Sequence, residues 1–244
     1  MSKLTTLILA AGKGTRMESE LPKVLHPCCG KPMVSHVIDA ARGAGADRVV
    51  VIAGYKSELV HEELKDTVLY AEQTEQLGTG HAVMCAADQL PDEGETLILC
   101  GDTPLVTAET LKKLYAAHCD AGNGVTVLSA ILDDPKGYGR IIRDAKGDFL
   151  KITEDKDCSD EERLTREINS GMYIFDTKAL KESLGKLTND NAQGEYYLTD
   201  TIAIIKDAGK RVDAMPVSDV DEIMGVNTKA QLAVAEQVVE GRIE

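Results

Sequence analysis

Positive charge is scarce in this 244-residue chain: 27 Lys and Arg stand against 41 Asp and Glu, a formal net charge of −14. A surface with that balance repels polyanions at long range, which excludes nucleic acid and anionic membrane as general partners. Any anion that does bind must be met by a local cluster of cations. Long apolar runs are missing too. Nothing approaches the ~20 residues of a membrane span, and the amino-terminal "MSKLTTLILAAGKG" loses its apolar character too early for a signal peptide. A cytoplasmic setting is therefore expected. The six cysteines (Cys28, Cys29, Cys85, Cys100, Cys119 and Cys158) include no C-x-x-C pair and no zinc spacing, so free thiols are expected. Without a low-complexity linker, an internal repeat or a break in composition, one mixed α/β domain is the economical reading.

Several chemical signatures are incomplete. Gly12 and Gly14 begin a G-x-G-x-x-G fingerprint, but Met17 stands where its third glycine belongs. The acidic residue that would end the second strand of a dinucleotide-binding unit is absent, with Ala53 and Gly54 in its place. G-x-x-x-x-G-K-[ST] occurs nowhere, and "HEELK" at His61 lacks the second histidine of H-E-x-x-H. The five histidines read as structural or solvated, and neither a Ser–His–Asp set nor a cysteine nucleophile is suggested.

What is present is a regular alternation. Leu4 to Ala10 reads as a buried strand and "KPMVSHVIDAARGAG" as a helix opened by Pro32 and closed by Gly43 and Gly45. "DRVVVIAG" and "KSELVHEELK", "TVLYA" and "GHAVMCAADQL", then "TLILCGD" and "TAETLKKLYAAHCDAG" repeat the pair. Continuous rather than alternating apolar strands predict a parallel sheet with helices on both faces. Ligands in such sheets sit beyond the carboxyl ends of the strands, where "GKGTR" and the Gly101–Asp102 pair fall. From Gly124 the pieces "GVTVLSAIL", "GYGRIIRD", "FLKITED" and "EINSGMYIF" predict a partly antiparallel addition. Helices near 176–187 and 198–208, a strand at "RVDAMPV" and a closing helix from Thr228 complete the chain.

The loop at residues 10 to 23 holds glycines that let backbone amides approach an anion, with Arg16 and Lys23 as cations. Taken alone, it reads equally well as a tight turn. The longer stretch "LAAGKGTRMESELPKVLHPCCGKPM" resembles the signature of sugar-1-phosphate nucleotidylyltransferases. Within them, "EQLGTGHA", "GYGRI", "EINSGMY", "GEYYLTD" and "GVN" are similar to the uridylyltransferase half of the bacterial bifunctional enzyme that makes UDP-N-acetylglucosamine.

The resemblance implies an α/β, Rossmann-like nucleotidyltransferase fold, with a mixed, mostly parallel sheet and a partly antiparallel insertion. Residues 1–227 would form the pyrophosphorylase domain and 228–244 a linking helix. It implies attack of a sugar-1-phosphate oxygen on the α-phosphorus of UTP, with release of pyrophosphate. Gly14, Thr15 and Arg16 would hold the triphosphate while Lys23 neutralises the α-phosphate and the sugar phosphate. Loss of a preorganised charge of that kind costs ~10²–10³ in turnover. Leu9, Ala10, Ala11, Gly12, Gln73, Gly78 and Thr79 would meet the nucleotide, with Gln76 the alternative to Gln73. Gly101, Gly137, Glu154 and Asn169, with Tyr196 and Thr199 nearby, would meet N-acetylglucosamine-1-phosphate. Asp102 and Asn227 would hold Mg²⁺, magnesium being a hard cation suited to oxygen ligands.

The chain departs from the family's pattern at Cys100, where a tyrosine is usual, and at Cys28 and Cys29. No hexapeptide repeat follows "TKAQLAVAEQVVEGRIE", so neither acetyl transfer nor a repeat-built trimer is expected, and the partner state is a monomer or weak homo-oligomer. Two alternatives stay open: another hexose-1-phosphate or dTTP as substrate, and a non-catalytic nucleotide-sugar binding module.

Overall fold

The apolar runs of the amino-terminal half become neighbouring strands of one sheet. In the computed structural model, which describes residues 3–191 and 193–243, β1 (Leu4–Leu9) leads through a long loop and a short hairpin, β2 (Pro27–Cys28) and β3 (Lys31–Pro32), into α1 (Met33–Gly43). Then come β4 (Arg48–Ala53), α2 (Ser57–Leu64), β5 (Leu69–Glu72), α3 (Thr79–Cys85), β6 (Glu95–Cys100) and α4 (Ala108–Ala121). The remainder is β7 (Val125–Ile131), β8 (Arg140–Arg143), β9 (Phe149–Thr153), β10 (Glu167–Asp176), α5 (Thr177–Leu184), α6 (Asp200–Asp207), β11 (Val212–Pro216) and α7 (Lys229–Ile243).

The main path of the sheet runs β11-β7-β10-β6-β1-β4-β5, with β8 and β9 attached beside β10. β1 pairs in parallel with β4 and β6, and β4 with β5, as the continuous apolar strands predicted. β10 lies antiparallel to both β6 and β7, and β8 antiparallel to β9 and β10, which is the partly antiparallel addition. Alternate residues of the buried strands serve opposite faces, because successive side chains point to opposite sides of the pleat. Ile8, Val51 and Leu99 pack with Val37 of α1, Val60 of α2 and Leu114 of α4. Leu7, Ile52 and Ile98 pack with Val83 of α3, Leu180 of α5 and Ile205 of α6. Helices thus cover both faces.

All the parallel strands end at one edge, and β10, running the other way, begins there. The chain returning from β11 is pinned to the same edge. Glu222, buried there, accepts from Thr107 N at 3.0 Å, Thr107 Oγ1 at 2.9 Å and Thr110 Oγ1 at 2.9 Å at the start of α4. A carboxylate at a helix amino terminus satisfies orphan donors and is stabilised by the positive end of the helix dipole.

Candidate active site

The loop after β1 is folded back on the sheet edge by main-chain bonds, Ala10 N to Ile52 O at 2.9 Å and Tyr55 N to Ala11 O at 3.1 Å. Two glycines make that packing possible. A Cβ at Gly54 would sit 2.8 Å from Ala11 Cβ, and one at Gly14 (φ +62°) would sit 2.5 Å from Lys23 Cβ. Gly14 therefore lets the Lys23 stem lie across the loop. Met17, the residue that broke the dinucleotide fingerprint, is 1% exposed and anchors the loop in the interior. Gly12 is exposed, with open space where its Cβ would stand.

Lys23 Nζ contacts the Asp102 carboxylate and donates to Asn227 Oδ1 at 2.9 Å, and Arg16 Nη2 donates to the same Oδ1 at 2.9 Å. The Lys23 and Asp102 side chains are 16% and 18% exposed, so water screens this pair less than a surface one. Asp102 is held by Gly101 N donating to Leu9 O at 2.9 Å and by Val226 N donating to Asp102 O at 2.8 Å. Asn227 precedes α7, and its N donates to Gln231 Oε1 at 2.8 Å while Gln231 N donates to Thr228 Oγ1 at 3.2 Å. Arg242 of α7 reaches back to Leu105 O at 2.7 Å, and Ala235 is buried with Cys28, Met33 and Val226. The helix is thus docked beside the site whose Asn227 it positions.

Asp102 and Asn227 are the residues that would hold a metal ion. Their donor set suits a hard cation, because a carboxylate oxygen and an amide oxygen converge on one point, and the Lys23 ammonium already bridges them. No group of three or more His, Cys, Asp or Glu suited to a metal occurs among the described residues. Such a pair fits a hard divalent cation that keeps several waters.

Two adjoining cavities share Thr79 and Glu195, and the first of them reaches this cluster. The first, about 390 Å³, is lined by Leu9 to Gly12, Gln73, Gly78 and Thr79, with Lys23 and Asp102 at its edge. Gln73 is buried, its Nε2 donating to Gly78 O at 3.0 Å and lying 3.2 Å from His81 Nδ1. Gln76 lines the same cavity and donates from Nε2 to Ala11 O at 2.9 Å, so both glutamines are present there. Gly78 (φ +104°) leaves room for Tyr196 O, which a Cβ would approach to 2.6 Å. Tyr196 N to Leu77 O and Gly80 N to Tyr196 O, both at 2.8 Å, join "EQLGTGHA" to "GEYYLTD". Gly14 and Thr15 line neither cavity. Thr15 faces a shallow hollow beside Lys13 and Tyr55.

The second cavity, about 670 Å³, brings together Gly137, Glu154, Asn169 and Thr199, and Thr79 borders both cavities. Tyr197, not Tyr196, lines it. The Tyr196 side chain packs on the second core face, 6.3 Å ring to ring from His81. Gly101 lines neither cavity, being buried beside Leu9 O and Val24. Glu195, which also borders both cavities, and Tyr173 were not singled out from the sequence. Burial raises the Glu154 carboxyl above its ordinary range, with Thr199 Oγ1 at 3.5 Å as a weak donor. Arg140, 3% exposed, donates to Tyr138 O and, at 3.0 Å, to Oδ1 of Asp155, which lines the cavity. Cys100 lines the first cavity and donates to Gly171 O at 3.5 Å, and burial pushes its thiol up to about 12, so it stays uncharged.

Bifunctional protein GlmU of Caldanaerobacter subterraneus subsp. tengcongensis is 55% identical over 243 residues, which is 100% of this chain and 53% of that protein. Bifunctional protein GlmU of Clostridioides difficile is 51% identical over 237 residues, 97% of this chain and 52% of that protein. The chain thus spans about half the length of these relatives. A crystal structure of a putative glucose-1-phosphate thymidylyltransferase from Bacillus anthracis, in complex with a sucrose, superposes with a TM-score of 0.77 at 19% identity. That match covers 96% of this chain and 94% of the other, and it shows the α/β, Rossmann-like fold alone. The model of the MobA-like NTP transferase domain matches residues 6–148, more than half of the chain, and the chain belongs to that family.

Proposed function

We propose that the chain transfers UMP from UTP to N-acetylglucosamine-1-phosphate, giving UDP-N-acetylglucosamine and pyrophosphate. The observation that carries this reading is the cluster of Arg16, Lys23, Asp102 and Asn227, whose Lys23 and Asp102 line the first of two adjoining cavities. The first cavity takes the nucleoside, with loop amides and a glutamine (Gln73 or Gln76) for the base. The second takes the sugar, Glu154 accepting from its hydroxyls and Asn169 donating or accepting. A phosphate oxygen of the acceptor forms a bond to the α-phosphorus of UTP as the bond to the bridging oxygen of pyrophosphate breaks. Lys23 draws the two anionic reactants together and Arg16 steadies the triphosphate, so catalysis is positioning and charge neutralisation. When bound at Asp102 and Asn227, Mg²⁺ supplies further neutralisation of the phosphate charge.

Residues 1–227 act as the catalytic unit and 228–244 as the helix that braces it, their outermost residues 1, 2 and 244 lying outside the described ones. The setting is cytoplasmic and the chain a monomer or weak homo-oligomer. No described helix is long and apolar enough to cross a membrane.

The test is pyrophosphate release from UTP and N-acetylglucosamine-1-phosphate, with Mg²⁺ and with EDTA, beside wells of glucose-1-phosphate and dTTP. Metal-dependent release confined to UTP with the acetylated sugar is the expected outcome. Release with another pair moves the substrate, and no release in any well favours the binding module.

A further inference from the structure

Asn169 is delivered to the second cavity by an irregularity in β10. Its register against β7 jumps between Asn169, opposite Ser129, and Met172, opposite Leu128, leaving Ser170 and Gly171 unpaired in the ladder. The bulge is held by Ser170 Oγ donating to Leu128 O at 2.6 Å and by Met172 N donating to Ser170 Oγ at 3.1 Å, with Gly171 at φ +80°. Bulges re-aim side chains near functional sites. The two ends of an asparagine amide are nearly alike in shape and opposite in hydrogen-bonding sense, so a sugar would meet either a donor or an acceptor unless something fixes the flip.

We propose that Tyr173 is the positioning residue that fixes the Asn169 amide toward the acceptor sugar, an inference that rests on the uridylyl-transfer reading. Gly171 N, which can only donate, meets Asn169 Oδ1 at 3.1 Å and sets the sense of the amide, and Tyr173 Oη accepts from Asn169 Nδ2 at 2.8 Å and holds its other end in place. The phenol is itself fixed. Tyr173 is 3% exposed, pairs with Ile98 across the sheet and packs 5.8 Å ring to ring from Phe175. One Nδ2 hydrogen and one Oδ1 lone pair of Asn169 remain for the ligand. Asn169, Gly171 and Tyr173 all line the cavity, so the orienting group stands beside the group it orients.

The test is a double-mutant cycle, because only a cycle separates action through Asn169 from a direct contact. Wild type, Tyr173→Phe, Asn169→Ala and the double variant are compared for KM toward N-acetylglucosamine-1-phosphate and toward UTP, with thermal melting to confirm folding. Tyr173→Phe is expected to raise the acceptor KM about 3- to 10-fold, the range of one neutral hydrogen bond, while KM for UTP moves less than about twofold. In the Asn169→Ala background it should add less than about twofold. An unchanged acceptor KM, or an equal effect in both backgrounds, overturns the proposal. Tyr173→Met, smaller and without the hydroxyl, carries the same expectations should the phenylalanine variant not fold. The cycle is also read as affinity for UDP-N-acetylglucosamine by calorimetry, which needs no turnover. Absence of wild-type turnover would thus count against the uridylyl-transfer reading separately.

Discussion

At Glu154 burial opposes ionisation, so this carboxylate takes up a proton at higher pH than an exposed glutamate would. If it accepts from sugar hydroxyls, protonation turns one acceptor oxygen into a donor and weakens the acceptor site. KM for the sugar phosphate should therefore rise as pH falls through that raised range, beginning above the ordinary value of 4.5. Glu154→Gln should show a high KM throughout and lack this limb. The ratio of wild type to variant cancels the titration of the substrate's own phosphate, and a flat ratio would place Glu154 outside the sugar contact. Stability has the opposite sign: because the folded pKa is raised, the contribution is present below the unfolded pKa and lost as pH rises through the folded one. Acceptor binding and stability should thus respond oppositely to acid, which melting curves of the two proteins would check. Single residues were only partly legible. The family motif pointed to Glu154 and Asn169, which do line one cavity, but it favoured Tyr196 where the cavity takes Tyr197. Adjacent residues of an extended segment face opposite ways, and only packing decides which faces in.

The loop after β1 shows how an element converts two similar glycines into different roles. Gly14 combines φ +62° with a would-be Cβ 2.5 Å from Lys23 Cβ, whereas Gly12 has open space. Gly14→Ala should displace Lys23 and strain the backbone by ~1–3 kcal/mol, lowering kcat about tenfold or more. Gly12→Ala adds a methyl to the wall of the first cavity, the proposed nucleotide site, and should raise KM for UTP instead. Steady-state kinetics on the two variants separates these outcomes, and matching profiles would mean the loop moves as one unit. Most elements were legible from apolar runs and glycine punctuation. The hairpin β2–β3 was not. Its turn puts Cys29 at φ +50° and Gly30 at φ +77°, and a Cys-Gly pair carries little of the usual Asn-Gly hairpin signal. The helix read through "GHAVMCAADQL" also stops early, at Cys85, and continues as a 3₁₀ turn over Ala87–Gln89.

Over the whole molecule, on the proposed reading, a net charge of −14 opposes the approach of UTP, which Arg16 and Lys23 would attract at short range. Salt screens the distant repulsion first, the Debye length falling from about 30 Å at ~0.01 M to about 8 Å at ~0.15 M. The kcat/KM for UTP should accordingly rise as ionic strength climbs through that range. A steady fall instead would show that the local cluster governs the encounter. By itself the sequence determined the parallel half of the sheet, helices on both its faces and a glycine loop with two cations. These follow from local periodicity and backbone freedom, which each segment carries alone. Only the tertiary structure decided what those cations meet. Lys23 and Asn227 are 204 residues apart, and no local pattern brings them together. Buried Glu222 at the start of α4, the Val226–Asp102 bond and the docking of α7 do so. Likewise, β10 fits antiparallel between β6 and β7, setting Asn169 and Tyr173 at the edge where the parallel strands end. Such pairings depend on packing and register between distant segments.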